Sequence, residues 1–558
     1  MMDTLLAVAV LATMVALLGL LYRPLGDYMA YVYTTGRHWR VERWLYRLIG
    51  VDPDREQTWP AYLRAVLAFS AAGMILLYGM QRLQPWLPYS LGHESVSPDL
   101  AFNTAASFVA NTNWQSYSPE HTMGFTVQAA GLGVQMFVSA AVGMAVAVAL
   151  IRGIAGNRRG TLGNFWVDLF RTNLRILLPG AVLAALVFAA AGVVQNWTGF
   201  TDITTLAGNA QSLPGGPVAS QEAIKMLATN GGGFFNANSA HPYENPTAWT
   251  NMFQIFLLLV IPFTLPRTVG RMVGDFRFGM MIELTMASLF TIAYALITVF
   301  EVQGSGTAPE LAGAALEGKE VRLGIIQSTL FATATTGTSG GAANSMHGSY
   351  TALAGMITML HMALGELSPG GVGAGIYAIL PLVIIGVYIA ALLLGRAPVM
   401  LGKRLGVREI KYVSIFILVM PVLALGALAI SLVIPSIHAS IINDAAGNTG
   451  THGVSEVMYA FISAAVNNGS AFAGFNADTP YLNTVLGVLI LLGRYIPIAL
   501  TLALAGSFAE QDRAQTDVTE LPLHTPQFVG LLVAMIAIVT LPTFLPLMTV
   551  GPLAEWLG

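Results

Sequence analysis

The stretch "TNGGGFFNANS", Thr229–Ser239, places three consecutive glycines and a knot of amides directly after ten helix-permissive residues. In a water-soluble chain this would be an ordinary surface turn. The surroundings are not those of a water-soluble chain. Of 558 residues, 55% are hydrophobic and only 10% charged, and the mean hydropathy is +0.65. Soluble domains carry about 25% charged residues. The deficit and the long apolar runs indicate an all-α polytopic membrane protein. The net charge of −3 argues against a nucleic-acid partner. The absence of cysteine excludes disulfides, thiol catalysis and Cys-ligated metals.

Runs long enough to cross roughly 30 Å of hydrocarbon lie near 4–22, 61–80, 127–151, 176–194, 250–270, 278–300, 412–435, 482–505 and 527–549. A tenth, about 350–395, is too long for one straight span, and its middle, "GELSPGGVGAG" (Gly365–Gly375), breaks any helix. It counts as one broken crossing. The first run has only Asp3 before it and Arg23, Arg37, Arg40, Arg43 and Arg47 after it, the reverse of a signal peptide. It is expected to be a retained span with its N-terminus outside.

Basic residues concentrate in five connectors, marked by Arg55 and Arg64; Arg152, Arg158, Arg159, Arg171 and Arg175; Arg267, Arg271 and Arg277; Arg396, Lys403, Arg404, Arg408 and Lys411; and Arg494 with Arg513. The positive-inside rule makes these cytoplasmic. The four long segments between them hold only Lys225, Lys319 and Arg322, with Arg82 at one edge, and face outward.

Each outward segment carries the same element: "NTAASFVANTNWQS" (Asn103–Ser116), "SQEAIKMLATNGGGFF" (Ser220–Phe235), "QSTLFATATTGTSGGA" (Gln327–Ala342) and "SEVMYAFISAAVNNGSAF" (Ser455–Phe472). In each, about ten helix-permissive residues run into a stop of Thr, Asn, Ser and Gly. A ten-residue helix is about 15 Å long, half a bilayer, so the chain enters the membrane and returns to the same side. Unpaired backbone at that depth must line a cavity or be buried in protein. The glycines Gly231, Gly232 and Gly233 permit positive φ and carbonyls aimed at one axis, with Asn230 and Asn236 bracing them. Helix C-termini add partial negative charge. Four such turns replace an ion's hydration shell with neutral oxygens. With no carboxylate among them, the site suits a monovalent cation.

At these motifs the chain resembles the A subunit of the Kdp potassium-transporting ATPase, a bacterial high-affinity uptake system. The residues that carry the resemblance are "NTNWQSYS", "PVASQEAIKMLATNGGGFFNANSAHP" and "NNGSAFAG", within a match from "RPLG" at Arg23 to "GPLAEWL" at Gly551. The resemblance implies four span–pore helix–span repeats around a pseudo-fourfold axis, with an extra helix at each end. Their bounds would be 57–160, 161–277, 278–410 and 411–513, flanked by 1–56 and 514–558. It implies a potassium selectivity filter at Asn111, Thr112 and Asn113; Thr229, Asn230 and Gly231; Ser339, Gly340 and Gly341; and Asn467, Asn468 and Gly469. Gln115 and Gly232 would sit beside the ion path. Glu366, Pro369, Gly370 and Gly371 of the broken run, with Arg396 at its end, would form a gate or constriction below the filter. The implied partners are a P-type ATPase B subunit, a C subunit and a small F subunit, in a bacterial plasma membrane.

Neither GxxxxGK[ST] nor the Asp-Lys-Thr-Gly phosphorylation sequence of P-type pumps occurs, so ATP hydrolysis is expected elsewhere. Two rivals remain on the sequence alone: a self-sufficient channel or symporter of the Trk and Ktr kind, and a non-transporting scaffold. Among the intramembrane charges, Lys225 is expected to pair with Glu222 and Arg494 to snorkel to the interface. Glu366 either attracts a cation or forms a salt bridge. Glu283 and Glu301 are expected at interfaces, and His347 and His361 are too isolated for a metal centre.

Overall fold

The computed structural model describes residues 2–304, 315–512 and 522–558; Arg513 of the last basic connector lies outside them. Among the described residues, ten helices are long and apolar enough to cross a bilayer: Asp3–Thr34, Trp59–Arg82, Val127–Ala155, Phe165–Ala190, Ala248–Val273, Phe276–Gln303, Ala374–Leu393, Val407–Val433, Pro480–Glu510 and Pro526–Val550. They follow the ten apolar runs and extend most of them, because polar caps rather than the last apolar residue end a helix. Thr247, Thr479 and Thr525 accept N–H groups of Thr250, Leu482 and Phe528, which satisfies first-turn donors. Asp275 does the same for Arg277 and Phe278.

The long run 350–395 is broken, as its glycines require. A short helix, Ala352–Ala363, stops, and the seventh span starts at Ala374. Between them Gly365, Glu366, Gly370 and Gly373 all have positive φ, from +64° to +81°. Two antiparallel ribbons, an exposed one of Thr201–Thr204 with Ala210–Leu213 and a largely buried one of Val399–Met400 with Lys403–Arg404, qualify the all-α expectation. They carry no apolar run and left no signal.

Between paired spans lie four shorter helices: Pro98–Val109, Val218–Leu227, Gly324–Gly337 and Gly450–Ala465. At 12, 10, 14 and 16 residues they are about 15–24 Å long, too short to cross. Most of their residues are buried. The third and fifth spans are buried along most of their length, while the first, second and eighth present apolar surface outward, as lipid-facing helices do. The first span packs against the fifth, pinned where Arg267 Nε meets Asp27 Oδ1 at 2.8 Å.

Candidate ion-binding site

The four short helices end alike. Each stops two residues before its first stop residue, and Asn111, Thr229, Ser339 and Asn467 all adopt left-handed φ, at +66°, +50°, +53° and +59°. The next residue then reaches back five positions. Thr112 N donates to Ser107 O (3.0 Å), Asn230 N to Lys225 O (2.9 Å), Gly340 N to Thr335 O (3.2 Å) and Asn468 N to Ser463 O (2.9 Å). These are Schellman caps. Such a cap normally takes glycine at the left-handed position, and Gly395 does so after the seventh span, where Arg396 N reaches Ala391 O at 2.8 Å. At the four stops a side chain occupies that position instead, at a cost of about 1–2 kcal/mol each. What offsets it is contact across the repeats. Asn111 Oδ1 accepts from Asn230 Nδ2 (2.6 Å) and Ser139 Oγ (2.8 Å), Asn467 Nδ2 donates to Thr112 Oγ1 (3.0 Å), and Asn468 Nδ2 to Thr335 O (3.0 Å).

The stops close into a ring. A Cβ on Gly231 would lie 2.5 Å from Thr112 O and 2.8 Å from Gly341 Cα; one on Gly341 would lie 2.7 Å from Gly469 C; one on Gly469 would lie 2.0 Å from Thr112 O. First repeat touches second, second third, third fourth, and fourth first, so the four turns surround one axis. A cavity of about 780 Å³ opens on this ring, with Asn113, Gln115, Gly232, Gly341 and Gly469 in its lining.

The triple glycine works differently from the expectation. Only Gly232 has a positive φ, +72°. Gly231 and Gly233 are glycine for want of space, a Cβ on Gly233 falling 2.9 Å from Phe235 O. Gln115 Oε1 accepts Gly233 N at 2.9 Å. Asn236 is exposed and binds Glu120 through its backbone, whereas the Asn238 amide holds the Gly232 carbonyl.

Lys225 does pair with Glu222, at 2.6 Å, but also with Glu244, at 2.8 Å, and all three side chains are buried. Glu244 Oε1 in turn accepts Phe234 N and Phe235 N, each at 2.8 Å. Lys225 Nζ reaches Asn238 Oδ1 at 3.0 Å, so the cation, held between two carboxyl groups, braces the turn. Glu244 lies on a separate loop, and its helical spacing from Lys225 gave no hint of the contact.

The loop 365–373 packs directly against the ring's other side. Gly370 N donates to Gly337 O (2.7 Å) and Val372 N to Thr229 Oγ1 (2.9 Å). A Cβ on Gly371 would sit 3.1 Å from Thr338 O. Pro369 follows Ser368 through a cis peptide, and Ser368 Oγ meets His361 Nε2, whose other nitrogen meets Thr336 Oγ1 at 2.9 Å. Glu366 faces Arg494 at 3.9 Å. Arg494 is therefore buried in the middle of the ninth span and does not snorkel. Arg396 is exposed beyond the seventh span and does not join the loop. Glu301 lies within its span, paired to Lys319 at 2.8 Å, and Glu283 Oε2 is buried with no hydrogen-bond partner among the described residues. His347 Nδ1 meets Tyr459 OH at 3.0 Å. Among the described residues no group of three His, Cys, Asp or Glu side chains could hold a metal ion.

The sequence matches the family model described as "Potassium-transporting ATPase A subunit" over residues 12–557. A potassium-transporting ATPase potassium-binding subunit from Clavibacter michiganensis subsp. michiganensis is 60% identical over 557 residues, 100% of both chains. Its counterpart from Cutibacterium acnes is 55% identical over 547 residues, 98% of both. Among solved structures, the potassium transporter TrkH from Vibrio parahaemolyticus superposes with a TM-score of 0.53 at 15% identity, over 86% of this chain and 97% of that one. At that identity the likeness is one of fold.

Proposed function

The chain belongs to the potassium-transporting ATPase A subunit family, and we propose that within such a pump its four convergent turns select the ion. It is a multi-pass membrane protein and the potassium-binding subunit of a potassium-transporting ATPase. In our reading the filter is made of Asn111, Thr112 and Asn113; Thr229, Asn230 and Gly231; Ser339, Gly340 and Gly341; and Asn467, Asn468 and Gly469, offering mainly backbone carbonyls. Gln115 and Gly232 shape its mouth. Potassium enters from outside through the vestibule and exchanges water for these oxygens. Four helix C-termini, each worth roughly −0.5 of a charge, favour a cation at the axis without fixing a divalent one. The loop from Glu366 to Gly371 narrows the path below. From there the ion passes to a separate P-type ATPase subunit, a reading supported by the lack of GxxxxGK[ST] and Asp-Lys-Thr-Gly sequences here. B, C and F subunits complete the assembly in a bacterial plasma membrane, with the arginine-rich connectors in the cytoplasm.

The observation that carries this reading is the closed ring through Thr112, Gly231, Gly341 and Gly469. The test is ATP hydrolysis by whatever co-purifies with the tagged chain in mild detergent, titrated with potassium and then sodium. Hydrolysis stimulated by potassium and blunted by Gly231→Asp is expected. A co-purifying ATPase that ignores potassium, or none at all, would favour the self-sufficient channel or symporter.

A further inference from the structure

The arginine-rich end of the molecule holds a second built feature, unrelated to the filter. Between the first span and the second lies a nine-residue helix, Arg40–Leu48. Its three faces are distinct. Glu42 and Tyr46 are buried against the protein; Val41, Trp44 and Leu48 form an exposed apolar stripe at i, i+3 and i+7; and Arg40, Arg43 and Arg47 form an exposed basic stripe beside it, at the same spacing. A helix with that division lies in a membrane interface, apolar face toward acyl chains and arginines toward headgroups.

The segment leading into it is rigidly held. The Arg37 carbonyl accepts Arg175 Nη2 at 2.8 Å and Arg171 Nη2 at 3.3 Å. Glu42 binds Arg175 through both oxygens and also accepts Trp39 N, at 2.8 Å. The Arg175 guanidinium stacks over the Trp39 ring at 4.8 Å. The one carboxylate of the segment is thereby occupied by a cation from another helix. Among the described residues, the guanidinium groups of Arg37, Arg40, Arg43 and Arg47 have no ion-pair partner. Arg37 and Arg43 border a cavity of about 570 Å³ whose wall also includes Tyr28, Tyr31, His38 and Trp39.

We propose that this cavity and the adjoining apolar stripe bind one anionic phospholipid from the leaflet at the arginine-rich end. Its phosphate sits between Arg37 and Arg43, and its acyl chains run along Val41, Trp44 and Leu48. A soluble phosphate would use the arginines but gain nothing from the apolar stripe, whereas a lipid uses both. Basic pockets between membrane helices recognise headgroups on charge and aromatic contact in this way. Under the sidedness proposed above, the leaflet is the cytoplasmic one.

The test uses the purified pump, with whatever subunits accompany the chain, loaded with acyl-chain-labelled phosphatidylglycerol. Unlabelled phosphatidylglycerol, phosphatidylcholine and inorganic phosphate are titrated as competitors, and fluorescence anisotropy is read. Phosphatidylglycerol alone should displace the label at low concentration. Each arginine near an anionic headgroup is worth about fivefold, so Arg37→Gln with Arg43→Gln should weaken retention about 25-fold. Arg37→Lys with Arg43→Lys keeps the charge and should stay within about threefold of the parent. Both arginines are exposed, so unfolding temperatures should match in all three proteins. Equal displacement by phosphatidylcholine, displacement by inorganic phosphate, or an unchanged double glutamine variant would each overturn the proposal. The readout needs neither potassium nor ATP, so its failure is distinct from failure of the transport reading.

Discussion

Replacing Lys225 by methionine tests whether the buried charge cluster holds the second turn of the ring. The ammonium is fully buried, 2.6 Å from Glu222 Oε2, 2.8 Å from Glu244 Oε2 and 3.0 Å from Asn238 Oδ1. Methionine fills much of the volume but leaves two carboxylates facing each other with no cation. Breaking a buried pair in this way costs about 3–5 kcal/mol, a large share of a typical folding margin. Asn238 also loses the contact that aims its amide at the Gly232 carbonyl. Lys225→Met should therefore lower the unfolding midpoint of the purified chain by roughly 3–4 °C and weaken the stabilisation that added potassium provides. Glu222→Gln leaves one lysine and one carboxylate and should cost under about 1 kcal/mol. Combined with Lys225→Met it should recover part of the loss, a coupling of at least about 1 kcal/mol. A lysine variant within about 0.5 kcal/mol of the parent, with no coupling to Glu222, would refute the reasoning.

Three further outcomes follow from the same geometry. Gly469→Ala adds a methyl 2.0 Å from Thr112 O at a residue whose φ is +98°, so half-saturation of potassium-stimulated ATP hydrolysis should rise at least about 100-fold, worth about 2.7 kcal/mol. Thr229→Val leaves Val372 N, now bonded to the threonine hydroxyl at 2.9 Å, buried without an acceptor. Thermal unfolding should show a loss of about 1–3 kcal/mol, whereas Thr229→Ser should show little. His347, outside the spans, has its pKa pushed down to about 4, by burial first and by Lys319 second. Below pH 6.5 the unfolded chain binds a proton there that the folded chain refuses, so its contribution is complete above 6.5 and is lost as pH falls toward 4. This is about 3 kcal/mol of slope, and pH-dependent unfolding of His347→Gln should lack it.

The spans and the four half-length helices were legible because hydropathy and length are one-dimensional quantities that a bilayer imposes directly. The positions of the stops were legible for a related reason: a Schellman cap needs a left-handed residue, and Asn, Thr and Ser before Gly mark it. What the letters did not disclose is pairing at a distance. Glu244 reaches Lys225 from a loop, Asn238 rather than Asn236 braces Gly232, and Arg494 meets Glu366 across two spans. None of these contacts has a fixed sequence spacing. The triple glycine was over-read as a flexibility signal when two of its members answer to crowding. Glu301 lies beyond the apolar run 278–300 yet inside the helix, because hydrogen bonding continues past the last apolar residue.

Thallium, a heavy monovalent mimic of potassium, tests the central claim most directly when located by anomalous diffraction from crystals of the pump. A peak is expected on the axis enclosed by Thr112, Gly231, Gly341 and Gly469, lost on competition with potassium but not with sodium. Thallium bound elsewhere in the chain, with that axis empty, would contradict it.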